Sequence, residues 1–252
     1  MAELATWTLS DVTHGARTYP VYRKGSGPGV VLIHEIPGIT PEVLGFADEV
    51  VGAGFTVVMP SLFGTPGAAM NVRRTVGVVA RLCVSSEFTT LALRRTSPIA
   101  GWLRSLARSL HEELGGRGVG AIGMCFTGGF ALAMLADAPI VAPVLAQPSL
   151  PFAIGRARGA DLNLSSADLA AVRSKVADGC QVLGLRYRKD PATGTRFETL
   201  RRELGERFTA VEFDGKGHST LTAHRQQDAV DEVLAFLRAH LPDTGRADTE
   251  ND

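Results

Sequence analysis

Gly123-Met124-Cys125-Phe126-Thr127-Gly128-Gly129 decides how this chain is read. It follows an apolar stretch at 119–122 and precedes a helix-like run, Phe130-Ala131-Leu132-Ala133-Met134-Leu135-Ala136. A lone reactive side chain between a buried strand and a helix is held on a sharp turn and points out of the sheet. That is nucleophile-elbow geometry, here with a thiol in place of a hydroxyl. Such a turn strains the backbone at the nucleophile and brings strand and helix close together, so the neighbours must be small. Gly123, Gly128 and Gly129 meet that need, and the pattern departs from G-x-S-x-G only at Thr127, where a glycine is usual. The helix that follows aims its N-terminal amides at the sulfur and favours a thiolate. The Phe126 amide is placed as one half of an oxyanion hole. A buried structural cysteine in a tight turn is the plainer reading, and the rest of the chain weighs against it.

Outward from the elbow, strands and helices alternate. Two alternating segments near 6–12 and 17–22 form an expected N-terminal hairpin. Gly29-Val30-Val31-Leu32-Ile33-His34 is a continuous apolar run, the mark of a strand buried on both faces. A helix over 41–53 follows, with Pro41 in its first turn, and then a buried strand over 55–60. The pattern predicts a helix over 97–114, strands at 119–122, 140–145 and 181–185, helices at 166–177 and 196–204, a last strand at 208–213 and a last helix over 221–240. This order implies an α/β fold, a mostly parallel central sheet with helices on both faces, as in the α/β-hydrolase architecture. One domain is expected over 1–241. Within it the pattern loosens at 61–96, where Gly64, Pro66 and Gly67 break it and Arg73, Arg74, Arg81, Arg94 and Arg95 crowd it. An insertion of that length is expected to be a cap or binding loop, with an ordinary surface excursion the competing reading. Residues 242–252 are polar and acidic and read as a disordered tail.

A nucleophilic thiol needs a base, and the base needs an orienting carboxylate. In hydrolase order the acid and then the histidine follow the nucleophile. His218 stands in Asp214-Gly215-Lys216-Gly217-His218-Ser219, a glycine-rich loop between the last strand and the last helix, where the base belongs. His224 is expected inside that helix and His240 near its exposed end. The acid should follow the preceding strand, and Asp190 is the carboxylate of the loop Arg186-Tyr187-Arg188-Lys189-Asp190-Pro191. Asp178 lies at the wrong end of the sheet, and Asp214 is a rival expected to be less well aimed. Glu35 ends the first buried strand and is expected in the crevice outside the strands' carboxyl ends, with capping of the next helix as its alternative. The backbone at Ile36 is the candidate second oxyanion donor.

Composition narrows the function classes. The 252 residues are 45% hydrophobic, enough for one sizeable core. Zero net charge points away from nucleic acid and anionic membrane surfaces as partners. Three cysteines, at 83, 125 and 180, form neither a disulfide framework nor a zinc spacing, a pattern that fits a reducing, cytoplasmic compartment. No signal peptide is read at the N-terminus, and no apolar run approaches the ~20 residues of a membrane helix. No metal or organic cofactor is expected, and the expected partner is a small-molecule substrate.

Taken together, these residues resemble the dienelactone hydrolase family, a branch of the α/β hydrolases. The matching pieces are His34-Glu35-Ile36-Pro37-Gly38, Met59-Pro60-Ser61-Leu62-Phe63-Gly64, the Gly123-x-Cys125 elbow, Asp190 and Gly217-His218-Ser219. The resemblance implies hydrolysis of small esters or lactones through a thioester, with Cys125 as nucleophile, His218 as base, Asp190 as its acid and Glu35 as the glutamate that engages the resting cysteine. Lactone-cleaving members also hold a substrate carboxylate with arginines, one of them shortly after the histidine. Here that stretch is Ser219-Thr220-Leu221-Thr222, which leaves Arg81, or Arg225 as substitute, for the role. A redox-active thiol protein and a non-catalytic binding protein on the same scaffold are the competing functions.

Overall fold

The computed structural model describes residues 3–88 and 92–242. The expected disordered tail therefore lies, apart from Pro242, outside the described residues. Eight strands form one sheet: β1 (Thr8–His14), β2 (Arg17–Lys24), β3 (Gly29–Ile33), β4 (Thr56–Pro60), β5 (Val119–Met124), β6 (Ile140–Ala146), β7 (Val182–Tyr187) and β8 (Phe208–Phe213). Their spatial order is β1-β2-β4-β3-β5-β6-β7-β8. The hairpin β1–β2 and the β2–β4 pair are antiparallel, and every other pairing is parallel. The helices are α1 (Pro41–Gly52), α2 (Val72–Val84), α3 (Ile99–Leu114), α4 (Gly128–Leu135), α5 (Gly155–Gly159), α6 (Ser166–Ala177), α7 (Arg196–Leu204) and α8 (Gln227–His240).

The central strands are wholly buried because both faces are covered. Alternate residues feed two cores. Val30, Leu32, Val57, Met59, Ile122 and Val144 pack under α1 and α8. Val31, Ile33, Val58, Ala121, Leu145 and Val182 pack under α3, α4, α6 and α7. The connection after β3 leads to β4 on one side, whereas β5 leads to β6 on the other. The strand order thus reverses between β3 and β5, where a crevice opens outside the carboxyl ends. Glu35 follows β3 and Cys125 follows β5, so both stand at that crevice.

Two expectations change. The last helix begins at Gln227, not at 221. Residues 221–224 are turns and 225–226 irregular because Thr220 and Thr222 spend their hydroxyls on Gln147 and Glu35, while the Gln226 amide bonds back to the Thr220 carbonyl at 2.8 Å. His224 therefore lies in the loop, not in the helix. The second change is α2, a regular helix inside the irregular 61–96 stretch. Its valines, threonine and glycine are poor helix formers, which hides it from a propensity reading. Asn71 starts it, its side-chain oxygen accepting from the amides of Arg73 and Arg74. Among the described residues no helix is long and apolar enough to cross a membrane.

Candidate active site

Cys125 has φ 54°, a left-handed conformation that a non-glycine residue rarely adopts. It directly follows β5 and opens a short turn, Cys125–Thr127, that runs into α4. The glycines are dictated by contact. A Cβ on Gly123 would lie 2.3 Å from the Thr127 carbonyl oxygen, and one on Gly128 would lie 2.6 Å from Pro148 Cα. Thr127 departs from the glycine pattern and is fully buried. Its hydroxyl accepts from the Met124 amide at 3.1 Å and lies 2.9 Å from the Ile33 carbonyl oxygen, to which it donates. It pins the elbow to the end of β3.

Asp190 and His218 come from the loops after β7 and β8. His218 Nδ1 lies 2.7 Å from Asp190 Oδ2, and Asp190 Oδ1 accepts from the Ala192 amide at 3.0 Å. Cys125 is the other electrostatic neighbour of the ring. Burial opposes a charge on this imidazole. The negative charge on the Cys125 sulfur and the hydrogen bond to Asp190 outweigh burial and raise its pKa to about 11. The histidine loop passes over Tyr187 so closely that a Cβ on Gly217 would lie 2.5 Å from the ring. Tyr187 donates to the His224 carbonyl, and the His218 amide donates to His224 Nδ1 at 3.4 Å. His224, expected elsewhere, thus braces the histidine loop.

Glu35 is buried, and both its oxygens are taken by hydroxyls, Oε2 by Ser219 at 2.7 Å and Oε1 by Thr222. Burial pushes its carboxyl up. Thr222, Ser219, the His218 charge and the Gln147 amide oppose that rise. The Gln147 nitrogen lies near Glu35 without reaching hydrogen-bond geometry. The sulfur of Cys125 lies instead against Ser149 Oγ, at 3.5 Å. Glu35 is therefore held in the crevice by the histidine loop, a grip that the expected contact with resting cysteine did not anticipate. His34, beside it, is fully buried. Its Nε2 accepts from the Leu62 amide at 3.1 Å, so Nδ1 carries the proton and donates to the Glu35 carbonyl at 3.0 Å. Burial lowers its pKa to about 4.

Arg81 does not join this cluster. It lines a cavity of about 600 Å³ between α2 and the loops after β3 and β4, together with Arg74, Pro37 and Gly38. Phe63 and Phe88 belong to the cavity wall and also pack edge-on against Phe126, which joins the cavity to the elbow. Arg225 is committed elsewhere, to Glu49 at 2.7 Å. Asp214 is an exposed partner of Arg188 and does not reach the histidine as the acid does. His240 closes the far end of α8 on the Phe236 carbonyl. The residues missed from sequence are Ser149 and Gln147, which follow β6. Their position at a strand's carboxyl end is the one signal that pointed to them.

The dienelactone hydrolase family's sequence model matches residues 16–151, more than half of the chain. No curated protein matches. Among solved structures, the chain is similar to a dienelactone hydrolase from Anabaena variabilis ATCC 29413, with 15% identity, TM-score 0.65, and 93% of this chain and 98% of that one covered. It is also similar to a dienelactone hydrolase-like promiscuous phosphotriesterase from metagenomic libraries, with 17% identity, TM-score 0.62, and coverage of 94% and 98%. A cold-adapted esterase from an Arctic intertidal metagenomic library is 18% identical, with TM-score 0.56 and coverage of 94% and 95%. At these identities the likeness establishes the α/β-hydrolase fold alone. The match across 16–151 takes in the Glu35 strand end, the elbow and the β6 end, and by it the chain belongs to the dienelactone hydrolase family of hydrolases.

Proposed function

We propose that the protein hydrolyses small carboxylic esters or lactones with Cys125, His218 and Asp190 as a triad. One observation carries the reading: a cysteine at φ 54° on the elbow faces a histidine that is itself bonded to a buried aspartate at 2.7 Å. Three separate strand ends supply these groups, and a binding scaffold has no need of that convergence.

Cys125 Sγ attacks the carbonyl carbon, and the π electron pair moves to oxygen, where the amides of Phe126 and Ile36 stabilise it. The carbonyl re-forms as the alkoxide or enolate leaves with the proton of His218, giving a thioester on Cys125. Water then attacks as its proton passes to His218, and the C–S bond breaks with its electron pair returning to sulfur. Asp190 fixes the tautomer and balances the ring charge. Thioester formation is easiest with good leaving groups, so enol lactones and aryl esters are the favoured class. Glu35 places a carboxyl in the same crevice, held there by Ser219 and Thr222. We assign the 61–96 stretch as the cap of one domain spanning 1–241, with the tail at 242–252 outside it. Arg81 and its cavity neighbour Arg74 are the substrate contacts of that cap. No metal or organic cofactor enters these steps. Three free cysteines suit a reducing, cytoplasmic setting.

The test is p-nitrophenyl acetate turnover. Cys125→Ala should abolish it with the fold retained, whereas full activity in that variant ends the proposal. Binding of the ester without turnover by the wild type would favour a non-catalytic scaffold.

A further inference from the structure

The three residues after β6 are built around the nucleophile although no motif marks them. Gln147 is fully buried with φ 37°, a second strained non-glycine residue in the crevice. Its amide donates to the Leu185 carbonyl at 2.6 Å, and its side-chain oxygen accepts from the Thr220 hydroxyl at 2.8 Å. Strain of this kind persists only where the surroundings hold it, and it clusters at working sites. Here it turns the chain back over the elbow. Pro148 packs on the first residue of α4. The Ser149 amide then donates to the carbonyl of Cys125 itself at 3.0 Å. The Ser149 hydroxyl, 5% exposed, stands 3.5 Å from the sulfur.

We propose that Ser149 is a further catalytic residue, a hydrogen-bond donor to the ionised sulfur of Cys125. The inference rests on the triad reading above. Three features distinguish this hydroxyl from a packing serine. Its backbone is tied to the nucleophile's own carbonyl, so hydroxyl and sulfur move as a unit. It is shielded from water, where a donor to a charge is worth most. It approaches from β6, whereas His218 approaches from the loop after β8, so sulfur is held from two sides. A hydroxyl donating to a charged acceptor is roughly twice as strong as one donating to a neutral group, so the contact favours thiolate over thiol. The same bond acts when the thioester is hydrolysed. As the C–S bond breaks, its electron pair collects on sulfur, and Ser149 stabilises the charge that appears there.

The experiment is the pH profile of iodoacetamide alkylation of Cys125, read by mass of its own peptide because the exposed Cys83 is also alkylated, with p-nitrophenyl acetate kinetics alongside. Ser149→Ala should keep the circular dichroism of the wild type, move the half-maximal alkylation pH upward by about one unit, and lower kcat/KM on the acid side about tenfold. Ser149→Thr, which keeps the donor, should retain the wild-type profile. A Ser149→Ala profile that overlays the wild type overturns the proposal, and so does an equal shift in Ser149→Thr, which would make side-chain volume the cause. Failure of the triad reading looks different: Cys125→Ala would then hydrolyse the ester as well as the wild type.

Discussion

His34 is kept neutral by its place in the fold. It is fully buried, with Nε2 occupied by the Leu62 amide and Nδ1 by the Glu35 carbonyl. Its pKa falls from 6.5 to about 4, so the unfolded chain takes up a proton that the folded chain refuses. The neutral ring's contribution is therefore full above pH 6.5 and is lost as pH falls towards about 4, a loss of roughly 3 kcal/mol. Urea unfolding at a series of pH values should show that slope in the wild type, and His34→Gln should flatten it while being less stable at neutral pH. An unchanged slope would assign the acid limb to other groups. Asp190 works on the histidine that faces the sulfur. Asp190→Asn keeps the shape but offers Nδ1 the wrong partner, so ester turnover should fall roughly 10²–10⁴-fold with little change in thermal midpoint. A fall of less than threefold would remove Asp190 from the triad.

At the scale of elements, the elbow depends on Thr127 as much as on its glycines. The hydroxyl joins β5, the start of α4 and the end of β3. Thr127→Val keeps the volume and leaves the Met124 amide and the Ile33 carbonyl unpaired in a dry interior, which should cost about 1–3 kcal/mol by denaturant titration. A neutral result would show that the elbow stands without this anchor. The same residue shows what was legible beforehand. Cys125, Asp190, His218 and Glu35 stood out as candidates because each is a reactive side chain in the segment after a strand, and strand ends can be located from apolar runs, although β8, before His218, is only partly buried. Whether Thr127 crowds the turn or secures it depends on the carbonyl of Ile33, 94 residues away, which no local pattern reports. The early start expected for α8 has the same origin, since Thr222 turns to Glu35 across 187 residues. For α2 the difficulty was local, because β-branched residues and Gly77 disguise a helix whose start rests on one asparagine.

At the scale of the molecule, Arg196 joins the loops that carry the site. Its guanidinium is 1% exposed and donates to five carbonyls, those of Pro151, Arg158, Asp161, Ala192 and Thr193. Burial lowers its pKa to about 10, while Asp161 and Asp190 counter that fall. One cation thus fastens the chain beyond Ser149 to the loop of Asp190. Arg196→Met removes the donors to the Pro151, Asp161 and Ala192 carbonyls, while those of Arg158 and Thr193 keep backbone partners; it should cost on the order of 3–5 kcal/mol, with ester turnover lost at temperatures where the wild type is still folded. Stability within 1 kcal/mol of the wild type would mean that the loops hold without it. The fold gathers sulfur, imidazole and carboxylate at the place where the strand order reverses, and the proposed mechanism requires of them a covalent intermediate on one atom. Rapid-quench intact mass with peptide mapping, during p-nitrophenyl acetate turnover, reads that atom. An acetyl group on the Cys125 peptide, formed and lost at the rate of turnover and absent in Cys125→Ala, is the expected result; turnover with no adduct on Cys125, or with the adduct on another residue, would contradict it.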